Sequence, residues 1–321
     1  MMKQLIQSLE SGKPELLDVP LPQVLSEGVL LRTSRTLLSS GTERMLLEFG
    51  KANLLGKALQ QPEKVAQTIA KAKTDGLIKT VEAVRSKLSY PIAAGYCHVG
   101  IVEQSNTSAF KVGDRVISNG PHAEFVSVSK NLCAKIPENV TDESAAFVVM
   151  AAIGLQGVRL AKPTLGEKFV VYGLGIIGLL SVQLLRANGC QVLAIDTNQK
   201  RLEIARNYGA VVVDGNDTSS ILDSADKFSG GNGVDGVLIA AATNKDEIIS
   251  TSAKLSRQRG RIVLIGVVDM NLKRDDFYKK ELSFQVSCSY GPGRYDPKYE
   301  IEGVDYPYSF VRWTQNRNFR A

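Results

Sequence analysis

The chain has 321 residues, enough for two domains of ordinary size, and its 44% hydrophobic content is that of a globular protein. Four cysteines (Cys97, Cys133, Cys190, Cys288) stand far apart without paired spacing, which excludes a disulfide framework and fits a reducing compartment; with no signal peptide in Met1-Met2-Lys3-Gln4, the cytoplasm is expected. The net charge of +6 is concentrated between Lys51 and Lys87, where eight basic residues face three acidic ones, so a diffuse nucleic-acid surface is excluded and an anionic partner belongs at that segment.

In chain order, the first 40 residues read as short strands: Gln4 to Leu9, Leu16 to Val19 and Val29 to Leu38, punctuated by Ser11-Gly12-Lys13 and Glu27-Gly28. Ser39 to Glu43 breaks the pattern, and helical periodicity follows from Arg44, with Pro62 suited to a first helical turn and Asp75 to a cap. Strand character returns at Gly95–Val102, Val112–Val116, His122–Val128 and Leu132–Ile136. Asp142 to Lys162 reads as one long apolar helix that bridges two domains.

Lys168 to Asp196 carries the strongest signal. The apolar run Phe169-Val170-Val171-Tyr172 leads into Gly173-Leu174-Gly175-Ile176-Ile177-Gly178, then a helix, then a strand from Gln191 that closes on Asp196, 18 positions past Gly178. This is the order of a dinucleotide site. Gly173 allows a tight turn, Gly175 lets backbone approach a pyrophosphate, and Gly178 lets helix and strand lie close. The N–H groups of the first helical turn, at Ile176 and Ile177, face the phosphate charge. Asp196 is placed to accept from ribose hydroxyls. The uncharged stretch Phe169–Leu185 falls just short of the ~18 residues a membrane span calls for.

Beyond Asp196 the pattern alternates strand and helix: Thr197 caps a helix, Ala210–Val213 is a third strand, and Thr218–Phe228 is a helix. Val234–Ala241, Gly260–Gly266 and Leu282–Ser287 follow as strands, with a helix at Lys245–Leu255. The fold class is α/β, a doubly wound parallel sheet. By the switch-point rule, Ala240-Ala241 and Gly266-Val267, at the carboxyl ends of strands four and five, border the nicotinamide half of the ligand. A 2′-phosphate would meet the Asp196 carboxylate unfavourably, which prefers NAD over NADP; Arg201, with Lys200, is placed to recruit a 2′-phosphate, whereas its resemblance to a basic residue of NAD-using relatives implies a contact to the adenosine ribose.

A β-rich first half followed by a Rossmann half resembles the medium-chain dehydrogenase/reductase family. The resemblance is carried by Ser40-Gly41-Thr42-Glu43, Gly95-Tyr96-Cys97-His98-Val99-Gly100, Gly113-Asp114-Arg115-Val116 and the Gly173–Asp196 motif. It implies a GroES-like β-barrel over residues 1–145 with a helical insertion at about 45–90. A Rossmann domain over 146–287 and a return segment toward the first domain over 288–321 complete the expected plan. The insertion, with Gly291-Pro292-Gly293-Arg294-Tyr295, resembles first halves of two-domain oxidoreductases of surface-polysaccharide assembly. That narrower likeness implies a second oxidoreductase domain and a sugar-related small-molecule substrate; a nucleotide-linked substrate, drawn by the basic helices, and a homo-oligomer are further expectations. The chain stops at Asn318-Phe319-Arg320-Ala321, where the family continues with further strands and a helix, so the barrel's last pieces are expected beyond it.

The family's zinc ligands are replaced. Ser40 stands in the Cys position, Tyr96 and Cys97 stand where His and Glu are expected, and Met150–Gly154 offers no later Cys, Asp or Glu. Cys97, His98 and Glu43 form a shifted set in principle, but neighbours on a strand point to opposite faces. No zinc is expected. The developing charge on a carbonyl oxygen then needs another donor. Tyr96 is the first candidate, Thr42 matches the family's relay hydroxyl, and His98 is a third. Each also reads as a structural group: core phenol, turn hydroxyl, satisfied histidine. Glu43, Cys97 and Arg294 are candidate substrate contacts, Arg294 as an anion clamp, and His122 reads as a loop residue. The basic helices read either as a solvated face or as a cap that attracts a phosphorylated substrate.

The expected activity is hydride transfer between NAD(H) and a hydroxyl or carbonyl group. Two other classes stay open from sequence: a catalytically silent dinucleotide-binding module of a larger oxidoreductase, and a quinone or enoyl reductase.

Overall fold

The computed structural model describes residues 1–8, 13–39, 41–51, 91–243 and 247–321. Most of the basic insertion, Ser40 and part of the loop before the helix at Glu247 lie outside them. No helix among the described residues is long and apolar enough to cross a membrane.

The chain divides into two compact units, Met1–Phe147 with Ile301–Gly303, and Val148–Glu300 with Val304–Ala321. The first is built on antiparallel strands: β1 (Met2–Ser8), β2 (Pro14–Val19), β3 (Gly28–Thr36), β4 (Pro91–Ala93), β5 (His98–Ser105), β6 (Arg115–Ser118), β7 (Phe125–Ser129) and β8 (Cys133–Lys135). Five form a sheet in the order β7-β3-β5-β6-β8, and three form a smaller one, β2-β1-β4. The two curl toward each other where Leu5 N–H donates to His122 O (2.9 Å) and Glu124 N–H to Lys3 O (2.9 Å). Val29, Leu31, Val102, Val116, Val126 and Phe110 fill the space between. Their β-branched and aromatic side chains suit a half-buried pleat.

Two register shifts interrupt β3 against β5, between Leu30 and Leu31 and between Thr33 and Arg35. Such irregularities sharpen the local bend of a strand and help a sheet curl. Helix α1 (Thr42–Lys51) follows β3, and α2 (Asp142–Ala145) ends the unit, capped by the Thr141 hydroxyl.

The single helix expected over Asp142–Lys162 is two. Helix α3 (Val148–Ala161) starts afresh after Ala146-Phe147, where Phe147 N–H closes a tight turn on Ser144 O (3.2 Å). The break falls at the division between the units.

The second unit holds β9 (Lys168–Tyr172), α4 (Ile176–Ala187), β10 (Gln191–Asp196), α5 (Gln199–Asn207), β11 (Val211–Asp214), α6 (Thr218–Ser229), β12 (Val234–Ile239), β13 (Ala242–Thr243), α7 (Glu247–Leu255), β14 (Ser256–Leu264), β15 (Val267–Val268), α8 (Arg274–Tyr278) and β16 (Ser283–Val286). The main sheet is parallel throughout, in the order β11-β10-β9-β12-β14-β16, so the chain winds outward in both directions from β9. This is the doubly wound Rossmann order. Phe169, Val171 and Val263 pack against α3, α4 and α5 on one face, while Val170, Val237 and Ile262 pack against α6 and α7 on the other. Strands covered on both faces need continuous apolar runs, which is what the sequence supplies.

Of residues 288–321, Ile301–Gly303 group with the first unit and the rest with the second. Two short helices, α9 (Pro297–Glu300) and α10 (Gln315–Arg320), order this segment. Asn318 and Trp313 hold it to α3: Arg159 donates from Nε to Asn318 Oδ1 (2.8 Å) and its guanidinium stacks 3.3 Å from the Trp313 ring centroid.

Candidate functional site

In the second unit, the turn after β9 assembles three glycines for three different reasons. Gly173 has φ +92°, in the left-handed region, and a Cβ there would sit 2.6 Å from Ala241 N. Gly178 lies in the first turn of α4, where a Cβ would fall 1.9 Å from the Gly173 carbonyl oxygen. Gly175, the N-cap of α4, is the opposite case: a Cβ would meet nothing within 4 Å, and no side chain caps the helix there. The first bond back to the N-cap is Leu179 N–H to Gly175 O (2.9 Å), so Ile176 and Ile177 present their N–H groups at the open helix mouth. An open concavity, unmet backbone donors and the positive end of a helix dipole fit the pyrophosphate of a dinucleotide.

Asp196 ends β10 beside this turn and is buried. Its Oδ2 accepts the Leu174 N–H (2.6 Å) and its Oδ1 the Asn198 N–H (2.8 Å). Arg201 Nη1 lies 3.7 Å from the same Oδ2, so the arginine is turned toward the carboxylate. A carboxylate offers about four lone-pair directions, which leaves acceptor capacity for sugar hydroxyls.

Ala240 and Ala241 follow β12, next to β9. Ala240 N–H donates to Tyr172 O (2.8 Å) and Val267 N–H to Ala241 O (3.0 Å), while Gly266 is packed so closely that a Cβ would stand 2.0 Å from Ala241 O. The pair β13–β15 extends this link one step past the sheet. The residues expected to bind cofactor thus lie in the segments at or just past the carboxyl ends of β9, β10, β12 and β14, with Arg201 in the first turn of α5.

In the first unit, the side chains around the start of α1 form a polar cluster. Glu43 folds back so that Oε1 accepts the Ser39 N–H (2.8 Å), and its own N–H donates to Ser39 O (3.1 Å). Tyr96 is half-buried and donates its hydroxyl to Ser39 Oγ (2.8 Å). Of Thr42 only the backbone, at the start of α1, is described. Cys97 is fully buried, and burial, reinforced by the Glu43 charge, pushes its thiol up to about 12.

His98 is a core residue, not a surface for proton exchange. It is 1% exposed, with Nε2 2.9 Å from Thr33 Oγ1 and Nδ1 2.9 Å from Ser118 Oγ. The Thr33 hydroxyl gives its proton to the Ala123 carbonyl, so it must accept from His98 Nε2–H, and Ser118 then donates to Nδ1. Burial, with the neighbouring His122 charge, brings the imidazole down to about 4.

His122 lies in the loop before β7, as its sequence context suggested, but it is buried, with Nε2 3.4 Å from both Glu43 oxygens. Its ring lies against Gly95, where a Cβ would come within 2.5 Å of it. Nothing local announced this, because Glu43 is 79 positions away. Arg294, expected as an anion clamp, is already neutralised: its Nη1 donates to both Glu300 oxygens, at 2.7 and 3.0 Å.

A family described as zinc-binding dehydrogenase matches residues 177–301. The chain is 35% identical over 117 residues to (R,R)-butanediol dehydrogenase of Bacillus subtilis, a match over 36% of this chain and 34% of that protein. It is 28% identical over 287 residues to an alcohol dehydrogenase of Cupriavidus necator, covering 82% of this chain and 76% of the relative. In three dimensions it is similar to the crystal structure of 2R,3R-butanediol dehydrogenase from Bacillus subtilis, with a TM-score of 0.70 and 19% identity over 90% of this chain and 85% of the other. The match to the Bacillus subtilis sequence spans about a third of that relative's length. Over residues 177–301 the sequence is thus similar to the zinc-binding dehydrogenases, relatives along the chain are named as dehydrogenases, and the fold is similar to that of an alcohol dehydrogenase.

Proposed function

We propose that the chain is an NAD(H)-dependent, zinc-independent dehydrogenase or carbonyl reductase acting on a hydroxyl or carbonyl group of an alcohol or sugar-type substrate. The observation that carries this reading is the hydrogen bond from Leu174 N–H to Asp196 Oδ2, which fixes a ribose-binding acid against an uncapped helix mouth. Bound there, a nicotinamide dinucleotide supplies hydride transfer. Gly175, Ile176 and Ile177 hold its pyrophosphate, and Asp196 accepts from its ribose. Support for NAD over NADP comes from the Asp196 carboxylate, which a 2′-phosphate would repel, and from Arg201, which is engaged with that carboxylate.

The zinc-free part rests on donor chemistry. A tetrahedral zinc needs three N, S or O ligands with free lone pairs. Here Tyr96 replaces an imidazole and is bonded to Ser39, both His98 nitrogens are engaged, and the Cys97 thiol is buried and protonated. These residues do not fit the metal. Proton handling then falls to the first unit, with Tyr96, which is bonded to Ser39, and Thr42, whose side chain lies outside the described structure, as the candidate hydroxyls. The narrower likeness to polysaccharide-assembly enzymes extends the proposal to a sugar-related substrate and a partner oxidoreductase domain; a nucleotide-linked substrate, a homo-oligomer and, from the unpaired cysteines, a cytoplasmic setting complete it.

The test is to titrate purified protein with NADH and NADPH, measure bound metal, and assay a panel of alcohols, polyols and their ketones. NADH binding at least tenfold tighter than NADPH, substoichiometric zinc and turnover of at least one pair are expected. Tighter NADPH binding removes the cofactor assignment, and one zinc per chain removes the metal-free chemistry.

A further inference from the structure

We propose that the Arg159–Trp313–Arg312 stack of the second unit is a binding site for a doubly charged phosphoryl group. None of its residues belongs to the set expected to bind the dinucleotide, and no hydride-transfer step is involved.

The Trp313 ring carries two guanidinium groups, Arg159 with Cζ 3.3 Å from the ring centroid and Arg312 with Cζ 3.6 Å from it. Two planar cations cannot both lie that close to one centroid on the same face, so the indole is sandwiched between them. Arg312 also lies 4.6 Å from the Tyr308 centroid, so a second ring flanks it. All guanidinium N–H donors lie in the plane of the group. Stacking therefore covers the faces and leaves the edges for an oxyanion.

Charge at the stack is not balanced. Neither Arg159 nor Arg312 has a carboxylate partner among the described residues, whereas Arg294 and Arg317 are paired with Glu300 and Asp305. Burial, and then the Arg312 charge, bring Arg159 down to about 10. Attraction between each cation and the ring does not cancel the repulsion between the two cations. A phosphate monoester does, because it carries about −1.5 to −2 at pH 7 and three strong acceptor oxygens. The two cations stand one ring apart, a gap that those oxygens span.

The donors are also held in place. Arg159 gives Nε–H to Asn318 Oδ1 (2.8 Å), and the buried Asn318 is itself fixed by donating to Tyr290 O (3.0 Å). That leaves the Nη1–Nη2 edge of Arg159 open. The loop carrying Tyr308 is tied down by Arg317, which donates to Val311 O, to Tyr306 O (2.8 Å) and to Asp305 Oδ2 (2.6 Å). Arg312 is exposed, and Arg159 and Trp313 are partly so, which lets a ligand reach the stack from solvent. Prearranged, open guanidinium edges are the donor set of bidentate phosphate recognition.

Trp313 is the chain's single tryptophan, so its fluorescence reports on this stack directly. Full-length protein is titrated with inorganic phosphate, glycerol phosphate, succinate and chloride at constant ionic strength, and thermal unfolding is followed in the same solutions. Wild type is compared with Arg312→Gln, a change at an exposed side chain, and with Arg320→Gln as a control of equal charge. Expected is a saturable change in emission with phosphate or its ester, weakening as pH falls below about 6, where the dianion is lost. The unfolding temperature should rise with the same ligands. The tighter of the two phosphate arms tells a free phosphate from an esterified one. Arg312→Gln should weaken phosphate binding about tenfold or more, the scale of one lost charge-assisted hydrogen bond, and Arg320→Gln less than about twofold. Absence of a saturable phosphate response overturns the proposal. So does a response that chloride reproduces, tighter binding of succinate than of phosphate, or an unchanged response in Arg312→Gln.

Discussion

The carboxylate of Asp196 accepts the backbone N–H of Leu174 at 2.6 Å, so the acid that ends β10 and the glycine turn that ends β9 form one hydrogen-bonded unit. Asp196→Ala should therefore act twice. Leu174 is fully buried, and its N–H would be left without a partner, costing about 1–3 kcal/mol of stability in chemical denaturation. NADH affinity should fall in the same variant, by more than in Asn198→Ala. An Asp196→Ala protein as stable as wild type would show that the bond contributes nothing.

Gly175 and Gly178 separate binding from folding. Gly175→Ala adds a methyl where nothing lies within 4 Å, so the unfolding midpoint should barely move while NADH binding weakens, because the methyl occupies the pyrophosphate's approach. Gly178→Ala drives a Cβ to 1.9 Å from the Gly173 carbonyl, backbone that has no rotamer to yield, and should cost about 1–3 kcal/mol or more before any ligand is added. Thermal melts with and without NADH distinguish the two.

His98 predicts an acid weakness in the first unit. Its folded value is brought down from 6.5 to about 4, so the unfolded chain binds the proton more tightly. Stability from this group is complete above about pH 6.5, is lost as pH falls toward 4, and changes no further below that. The full effect is on the order of 3 kcal/mol. Unfolding followed from pH 7.5 to 4.5 should show the loss, and His98→Gln should flatten that part of the curve even though it starts from a less stable protein.

Arg294→Ala should behave as a structural lesion. It leaves the partly buried Glu300 carboxylate unpaired and removes the guanidinium stacked 4.1 Å from the Tyr295 ring centroid, for a loss of about 1–2 kcal/mol. If KM for a phosphorylated substrate rises instead, with stability intact, the arginine is available to anions after all.

The Rossmann half was legible because its determinants are local. The three glycines, the apolar strand before them and Asp196 fall within 30 residues, and each has a backbone reason to be where it is. The break at Ala146-Phe147 was not legible, since helical periodicity runs on through it and only tertiary packing divides the chain there. The Glu43–His122 pair was hidden for a related reason: its members are separated by most of the first unit and meet only because the two antiparallel sheets curl together. Arg294 misled in the other direction. A glycine-rich loop with an arginine suggests anion binding, but six residues later Glu300 already supplies the anion.

The packing of the His122 ring on Gly95 carries an evolutionary consequence. Because a side chain at position 95 would occupy the imidazole's own space, substitutions at the two sites are not independent. Among descendants of this chain, a residue larger than glycine at 95 should arise only where the histidine at 122 has already been replaced, and reversing that order should be selected against. Lineages that keep both should keep Glu43 as well, so the three positions should drift as a linked set while the exposed strand β2 varies freely around them.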